Sequence, residues 1–278
     1  MTFSDLLQVA GQAGSDQFLG TDGVLNHLQF DSSPSQLRRG GFKIAYFGSM
    51  KFPLFHEATE NSDQRQSIPE PVCAKQAFYH HPQNTSNIPG QRTDSTIIPY
   101  LGPAAITRMI MELRCLVWAQ ALLDVVYDLI SAFDLKNGGS PHDLNRPLFQ
   151  FVAASLAIEQ GKEKRETQAF LIEELISEPH EGRFRKYLNN ASPIPCQFPG
   201  NNLENLERAE FLAFTQHVQY WKTNKLVFVA DYQGEDFPVH AQCSTVHLLY
   251  HSNSGGNSLL TDPQIITHPT YVSIYLNM

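Results

Sequence analysis

Lys225-Leu226-Val227-Phe228-Val229-Ala230-Asp231 is an apolar run that ends on an acid, and Tyr232-Gln233-Gly234 follows it. β-Branched and aromatic residues bounded by a glycine turn read as a buried strand. A carboxylate and a carboxamide one residue apart at a strand end offer oxygen donors to one hard cation, of the kind Mg²⁺ accepts beside nucleotide phosphates. Taken alone, the same residues fit a strand end followed by an ordinary turn.

Working outward, the next informative piece is Leu259-Leu260-Thr261-Asp262-Pro263-Gln264-Ile265. Thr-Asp-Pro is a common turn or helix start, with Asp262 as an N-cap; in a site, Asp262 would accept the proton of a substrate hydroxyl. Upstream, residues 205–222 read as a helix, and 148–158 and 169–176 as apolar strands joined by the exposed connection EQGKEKRET. The strongest periodic signal runs from Ala104 to Phe133, where Ile106, Met109, Ile110, Leu113, Leu116 and Val117 fall at helical spacing; NGGSP at 137–141 ends it. Residues 71–79, PVCAKQAFY, predict a strand with Lys75 near its middle. Such a lysine either snorkels to solvent or reaches phosphate oxygens as a point charge. Residues 38–50 predict two strand pieces around Gly40-Gly41, which either makes a tight turn or lets backbone approach a phosphate. Residues 1–36 read as a weakly ordered lead-in with one or two short strands.

The 278 residues suffice for one large domain or two lobes, and a hydrophobic content of 42% supports a real core. A net charge of −8 argues against a duplex nucleic-acid partner. Cys73, Cys115, Cys196 and Cys243 form no CxxC pair and read as reduced thiols. The first residues lack a basic and then apolar leader, and the apolar run Cys115–Leu123 is short of a membrane span. The expectation is a cytoplasmic or nuclear chain, not secreted, with no nucleic-acid and no membrane partner.

The order of GGFKIAYFG at 40–48, VCAKQ at 72–76, ELRCLVWA at 112–119, FLIEELI at 170–176, FRKYLNNA at 184–191, AFTQHVQY at 213–220, FVADYQG at 228–234 and LLTDPQI at 259–265 resembles the alpha-kinases. These atypical protein kinases include elongation factor 2 kinase and the myosin heavy chain kinases, and the wording is that common among fungal members. The resemblance implies an α+β, two-lobed protein-kinase-like fold. A β-rich N-lobe of about 37–176 would contain one long helix, followed by an incomplete C-lobe of about 177–268 and a non-family tail at 269–278. It implies transfer of the ATP γ-phosphoryl group to serine or threonine of a protein substrate, with ATP and Mg²⁺ as cofactors. Lys75 and Lys43 match residues near the phosphates, and Glu173, Glu174 and Leu175 match the hinge that meets adenine. Asp231 and Gln233 match the metal pair, and Asp262 matches the acid that faces the acceptor hydroxyl. His217 matches one of four structural zinc ligands.

Two departures qualify the pattern. Residues 235–258 intervene between DYQG and LTDPQI, and this insert either moves Asp262 away from Asp231 or loops out and leaves its ends adjacent. After Ile265 the match fades, and the later family zinc ligands are absent from the sequence, so zinc is expected to be missing. The segment 235–256 and the tail from Tyr271 read as translated intron, because Gly234-Glu235 and Thr270-Tyr271-Val272 permit donor-like codons. The alternative to an active enzyme is a nucleotide-binding pseudokinase or scaffold.

Overall fold

The computed structural model describes residues 27–30, 37–51, 69–81, 96–138, 147–159, 163–176, 184–235 and 258–267. The fold is α+β, and the chain divides into two compact units.

One unit comprises Asp22–Leu113 and Ala153–Leu175. Its antiparallel sheet contains β1 (His27–Phe30), β2 (Arg38–Arg39), β3 (Lys43–Lys51), β4 (Pro69–His81) and β5 (Thr96–Pro99). A later pair joins them, β7 (Ala154–Glu159) and β8 (Gln168–Glu174). The order is β1-β3-β4-β8-β7, with β2 on β3 and β5 on β4. Alternation sorts the side chains. One face buries Met50, Val72, Ala74, Phe170 and Ile172, with Leu28, Tyr46 and Ala157 against them. The rings of Phe30, Tyr46 and Phe170 meet there at 5.3–6.3 Å. β1 pairs antiparallel with β3, His27 opposite Lys51 and Phe30 opposite Gly48. Its close approach requires Gly48, where an added Cβ would lie 2.3 Å from the carbonyl oxygen of Gln29.

The predicted helix is α1 (Gly102–Lys136). It is long and apolar enough to cross a membrane by length and composition alone. Ala105, Met109, Leu116, Ala119, Leu122, Leu123 and Val126 are nonetheless buried in protein. Asn137-Gly138 ends it as the sequence predicts: Gly138 takes φ 74° and donates its N–H to the carbonyl of Leu135. The boundary between the units falls inside this helix, after Leu113.

The other unit includes Arg114–Val152 and Ile176–Met278. The predicted strand over 148–158 is broken at Val152-Ala153, where the chain changes unit, so that β6 (Phe149–Phe151) stands apart from β7. The second half of α1 anchors β6. Gln120 Oε1 accepts from the Phe151 N–H (2.7 Å), and the Tyr127 hydroxyl accepts from the Phe149 N–H (2.8 Å). A four-stranded sheet runs β6-β14-β13-β9, with β9 (Phe184–Lys186), β13 (Gln233–Glu235) and β14 (Ser258–Thr261). The small hairpin β10 (Leu188–Asn189) and β11 (Ser192–Pro195) leads to α2 (Leu203–Lys222). Asn202 caps α2 by accepting the Asn205 N–H, and Thr223 closes its C-terminal end. Asn224 and Lys225 then turn the chain with φ 53° and 67° into β12 (Val227–Ala230), which pairs with β15 (Gln264–Thr267).

This topology decides between the two fates of the insert. Glu235 pairs with Leu259 and Ser258 is buried, so both ends belong to the sheet and the interruption itself is 236–257. Residues 236–257 and 268–278, on which the expectations of a mobile loop, translated intron and a non-family tail fall, lie outside the described residues.

Candidate functional site

In the sheet unit the β3–β4 register sets Lys43 opposite Ala77 and Ala45 opposite Lys75. Period-two alternation therefore puts both lysines on one face, with Cys73 and its cross-strand partner Glu173. Each ammonium meets a carboxylate. Lys75 Nζ lies 2.7 Å from Glu173 Oε2 with both side chains buried, and Lys43 Nζ lies 2.6 Å from Glu112 Oε2 of α1. A buried lysine keeps its charge only where a partner offsets desolvation. Glu173, matched to the hinge, thus spends its side chain on Lys75. The Glu174 carboxylate accepts the Ala153 N–H, and its own N–H donates to the Ala153 carbonyl (3.1 Å). Strand pairing stops there, so Leu175 is the first residue beyond β8.

In the other unit β12 and β15 form one ladder, and β13 and β14 the next. The pairing runs to Ala230 with Gln264 and resumes at Gln233 with Thr261. Asp231-Tyr232 and Asp262-Pro263 are thus corners that face each other across the step. Both aspartates adopt left-handed backbone, φ 62° and 50°. Aspartate tolerates that region better than most residues, yet it remains strained and persists only where surroundings enforce it. Gly234 is required here: a Cβ would lie 1.9 Å from the Leu259 carbonyl oxygen.

Lys186 Nζ faces Asp231 Oδ1 at 2.6 Å. Asp231 Oδ1 is buried, and among the described residues no donor meets it in hydrogen-bond geometry, so the ammonium acts as a charge contact without alignment. An oxygen that already attracts a cation, next to a half-buried Gln233, fits a divalent cation that takes its remaining ligands from phosphates and water. Among the described residues no group of three His, Cys, Asp or Glu gathers as a metal site. His217 is exposed on α2.

Sequence reasoning passed over Lys186 and Glu112, although both stand inside quoted motifs, FRKY and ELRC. Ion pairing across distant segments leaves no local signature. It also passed over a polar network behind Asp231. Among the described residues β12 has a strand on one side only, and α2 completes the other. Gln216 Nε2 donates to the Val229 carbonyl (2.8 Å), and Gln219 Oε1 accepts the Val229 N–H (2.9 Å). Gln219 Nε2 donates to the Tyr232 hydroxyl, and Thr215 Oγ1 meets that hydroxyl, both at 3.1 Å. Thr215 gives its own proton to the Leu212 carbonyl (2.7 Å), so Tyr232 donates to Thr215 and accepts from Gln219. Burial pushes the Tyr232 hydroxyl up to about 12, outweighing the hydrogen bonds from Thr215 and Gln219 that pull it down, and so it keeps its proton. The detectable signal was a pair of amides, Gln216 and Gln219, on the buried face of an amphipathic helix.

The family model for the alpha-kinase family matches residues 113–273, a span that holds both aspartate corners and α2. The chain is also similar in structure to an alpha kinase from Entamoeba histolytica, described as novel, at 13% identity over 93% of this chain and 74% of that one. The TM-score is 0.45, and a likeness of that strength carries no argument. No curated protein matches.

Proposed function

The chain belongs to the alpha-kinase family, and from that premise we propose that it transfers the γ-phosphoryl group of ATP to a serine or threonine hydroxyl of a protein. The observation that supports this best is the pair of opposed, left-handed corners at Asp231 and Asp262. An interruption over 236–257 has not separated them.

Lys75, fixed by Glu173, is the phosphate-binding point charge, and Lys43, fixed by Glu112, adds a second. Backbone from Leu175 onward, past the last strand pairing, meets the adenine edge. Asp231 and Gln233 would hold the divalent cation, with the Lys186 ammonium beside Asp231 Oδ1. The cation supplies neutralisation of charge that develops on phosphate oxygens. Asp262 orients the acceptor hydroxyl and takes its proton. Catalysis on this reading is positioning and charge neutralisation, with no covalent intermediate. His217, exposed on α2, has no part in it.

The test uses the full chain with radiolabelled ATP, Mg²⁺ and a general serine/threonine acceptor such as myelin basic protein. Label appears on serine or threonine, and both EDTA and Asp262→Asn abolish it. Nucleotide binding without transfer under all acceptors would establish the pseudokinase reading instead. No nucleotide binding at millimolar ATP would sink both.

A further inference from the structure

We propose that Tyr232 and Gln219 form a clamp that holds Asp231 in its cation-binding conformation, which makes Tyr232 a positioning residue rather than an inert core aromatic. The inference rests on the reading of Asp231 and Gln233 as the cation pair and deepens it.

Asp231 carries the backbone strain of a left-handed residue. Something must fix the residues on either side, or the peptide relaxes toward extended geometry. One side chain reaches both flanks. Gln219 accepts the Val229 N–H with its oxygen and donates to the Tyr232 hydroxyl with its nitrogen, so it spans Asp231 from two residues before to one after. Gln216 adds the Val229 carbonyl, and Thr215 takes the Tyr232 proton.

The main chain of Tyr232 is held as firmly. Its carbonyl accepts the N–H groups of Tyr187 (2.9 Å) and Leu188 (3.2 Å), and its ring stacks on Phe151 at 6.1 Å. Those same two N–H groups follow Lys186 in sequence, so the bond that fixes Tyr232 also sets where the Lys186 ammonium meets Asp231. Tyr232 is fully buried, and a phenylalanine would fill the ring space equally well. The hydroxyl therefore has a purpose apart from packing: it ties the corner to α2.

The proposal separates cation binding from nucleotide binding. Mn²⁺ affinity is read by electron paramagnetic resonance on the full chain in the presence of ATP, and metal-free ATP binding by calorimetry. Tyr232→Phe is expected to weaken Mn²⁺ about tenfold while metal-free ATP binding changes less than about twofold. Thr215→Val, which removes the acceptor of the Tyr232 proton together with the intrahelical bond to the Leu212 carbonyl, moves Mn²⁺ in the same direction by a smaller factor and covers the case in which Tyr232→Phe does not fold. Tyr220→Phe, on the exposed side of α2, is the control and leaves both affinities unchanged. Mn²⁺ affinity unaltered in Tyr232→Phe and Thr215→Val overturns the clamp, as does a parallel loss of metal-free ATP binding. Should the unmodified chain bind ATP but no Mn²⁺, the cation assignment of Asp231 itself falls, and the clamp with it.

Discussion

Lys75 and Asp262 illustrate how single residues here carry opposing demands of stability and chemistry. Lys75 and Glu173 are an ion pair with both side chains buried. Removing one partner leaves an uncompensated charge in low dielectric, which costs about 3 kcal/mol. Lys75→Met should therefore lose both transfer activity and roughly that much stability in urea denaturation. Lys75→Met/Glu173→Leu should recover most of the stability and none of the activity. If the double variant is no more stable than the single one, the pair does not behave as a buried charge couple. Asp262 has φ 50°, a value that asparagine tolerates and alanine does not. Asp262→Asn should unfold at the wild-type denaturant midpoint yet show no phosphoryl transfer, whereas Asp262→Ala should lose activity and about 1 kcal/mol of stability. Equal stability of the two variants would mean the left-handed corner is not strained.

At the scale of elements, the strand step is built from close backbone approach. β13 crosses β14 at Gly234 with no room for a side chain, since the Leu259 carbonyl oxygen is backbone and cannot swing aside. Gly234→Ala should cost about 3 kcal/mol and abolish the cooperative unfolding of the unit that contains it. A stable, active Gly234→Ala protein would show that the β13–β14 register is not the one described. The same step explains why α2 bears glutamines where an amphipathic helix would carry leucines. Among the described residues β12 has a strand on one side only, its Val229 groups on the other side need partners, and two amides on α2 supply them. α2 thus serves as a replacement strand as well as a cover.

For the whole molecule, the interruption between the two aspartates is the distinguishing feature. Its ends are pinned: Glu235 pairs with Leu259, and the Ser258 N–H donates to the Leu148 carbonyl at 2.8 Å. A loop that joins two fixed strand ends adds only a slowly growing closure entropy. Replacing 237–256 by a short turn containing Asn-Gly should leave the midpoint of thermal unfolding and the ATP affinity close to those of the full chain. A collapse of either would show that this segment contributes to the fold or the site. On the proposed reading, a net charge of −8 leaves phosphate binding to individual lysines rather than to a general basic surface.

How much of this was legible in advance follows from the range of each interaction. The sequence determined the elements. Helical spacing predicted α1, Asn137-Gly138 its end, and apolar runs the strands around Lys75 and before Asp231, because periodicity and turn chemistry act over a few neighbouring residues. The order of the motifs also carried the family, and with it the fold class. Sequence alone could not decide whether Asp262 remained beside Asp231, since chain distance along an insert does not fix distance in space. It gave no sign that Lys75 would meet Glu173, Lys43 meet Glu112, or Lys186 meet Asp231. Each of those pairs joins segments distant in sequence that only tertiary packing brings together, strand to strand for Lys75 and Glu173 and helix to strand for Glu112 and Lys43. The left-handed conformations of both aspartates belong to the same class. They fall where the ladder between the two strands is interrupted at the same level on both sides, between Ala230–Gln264 and Gln233–Thr261, a constraint imposed by pairing across the fold.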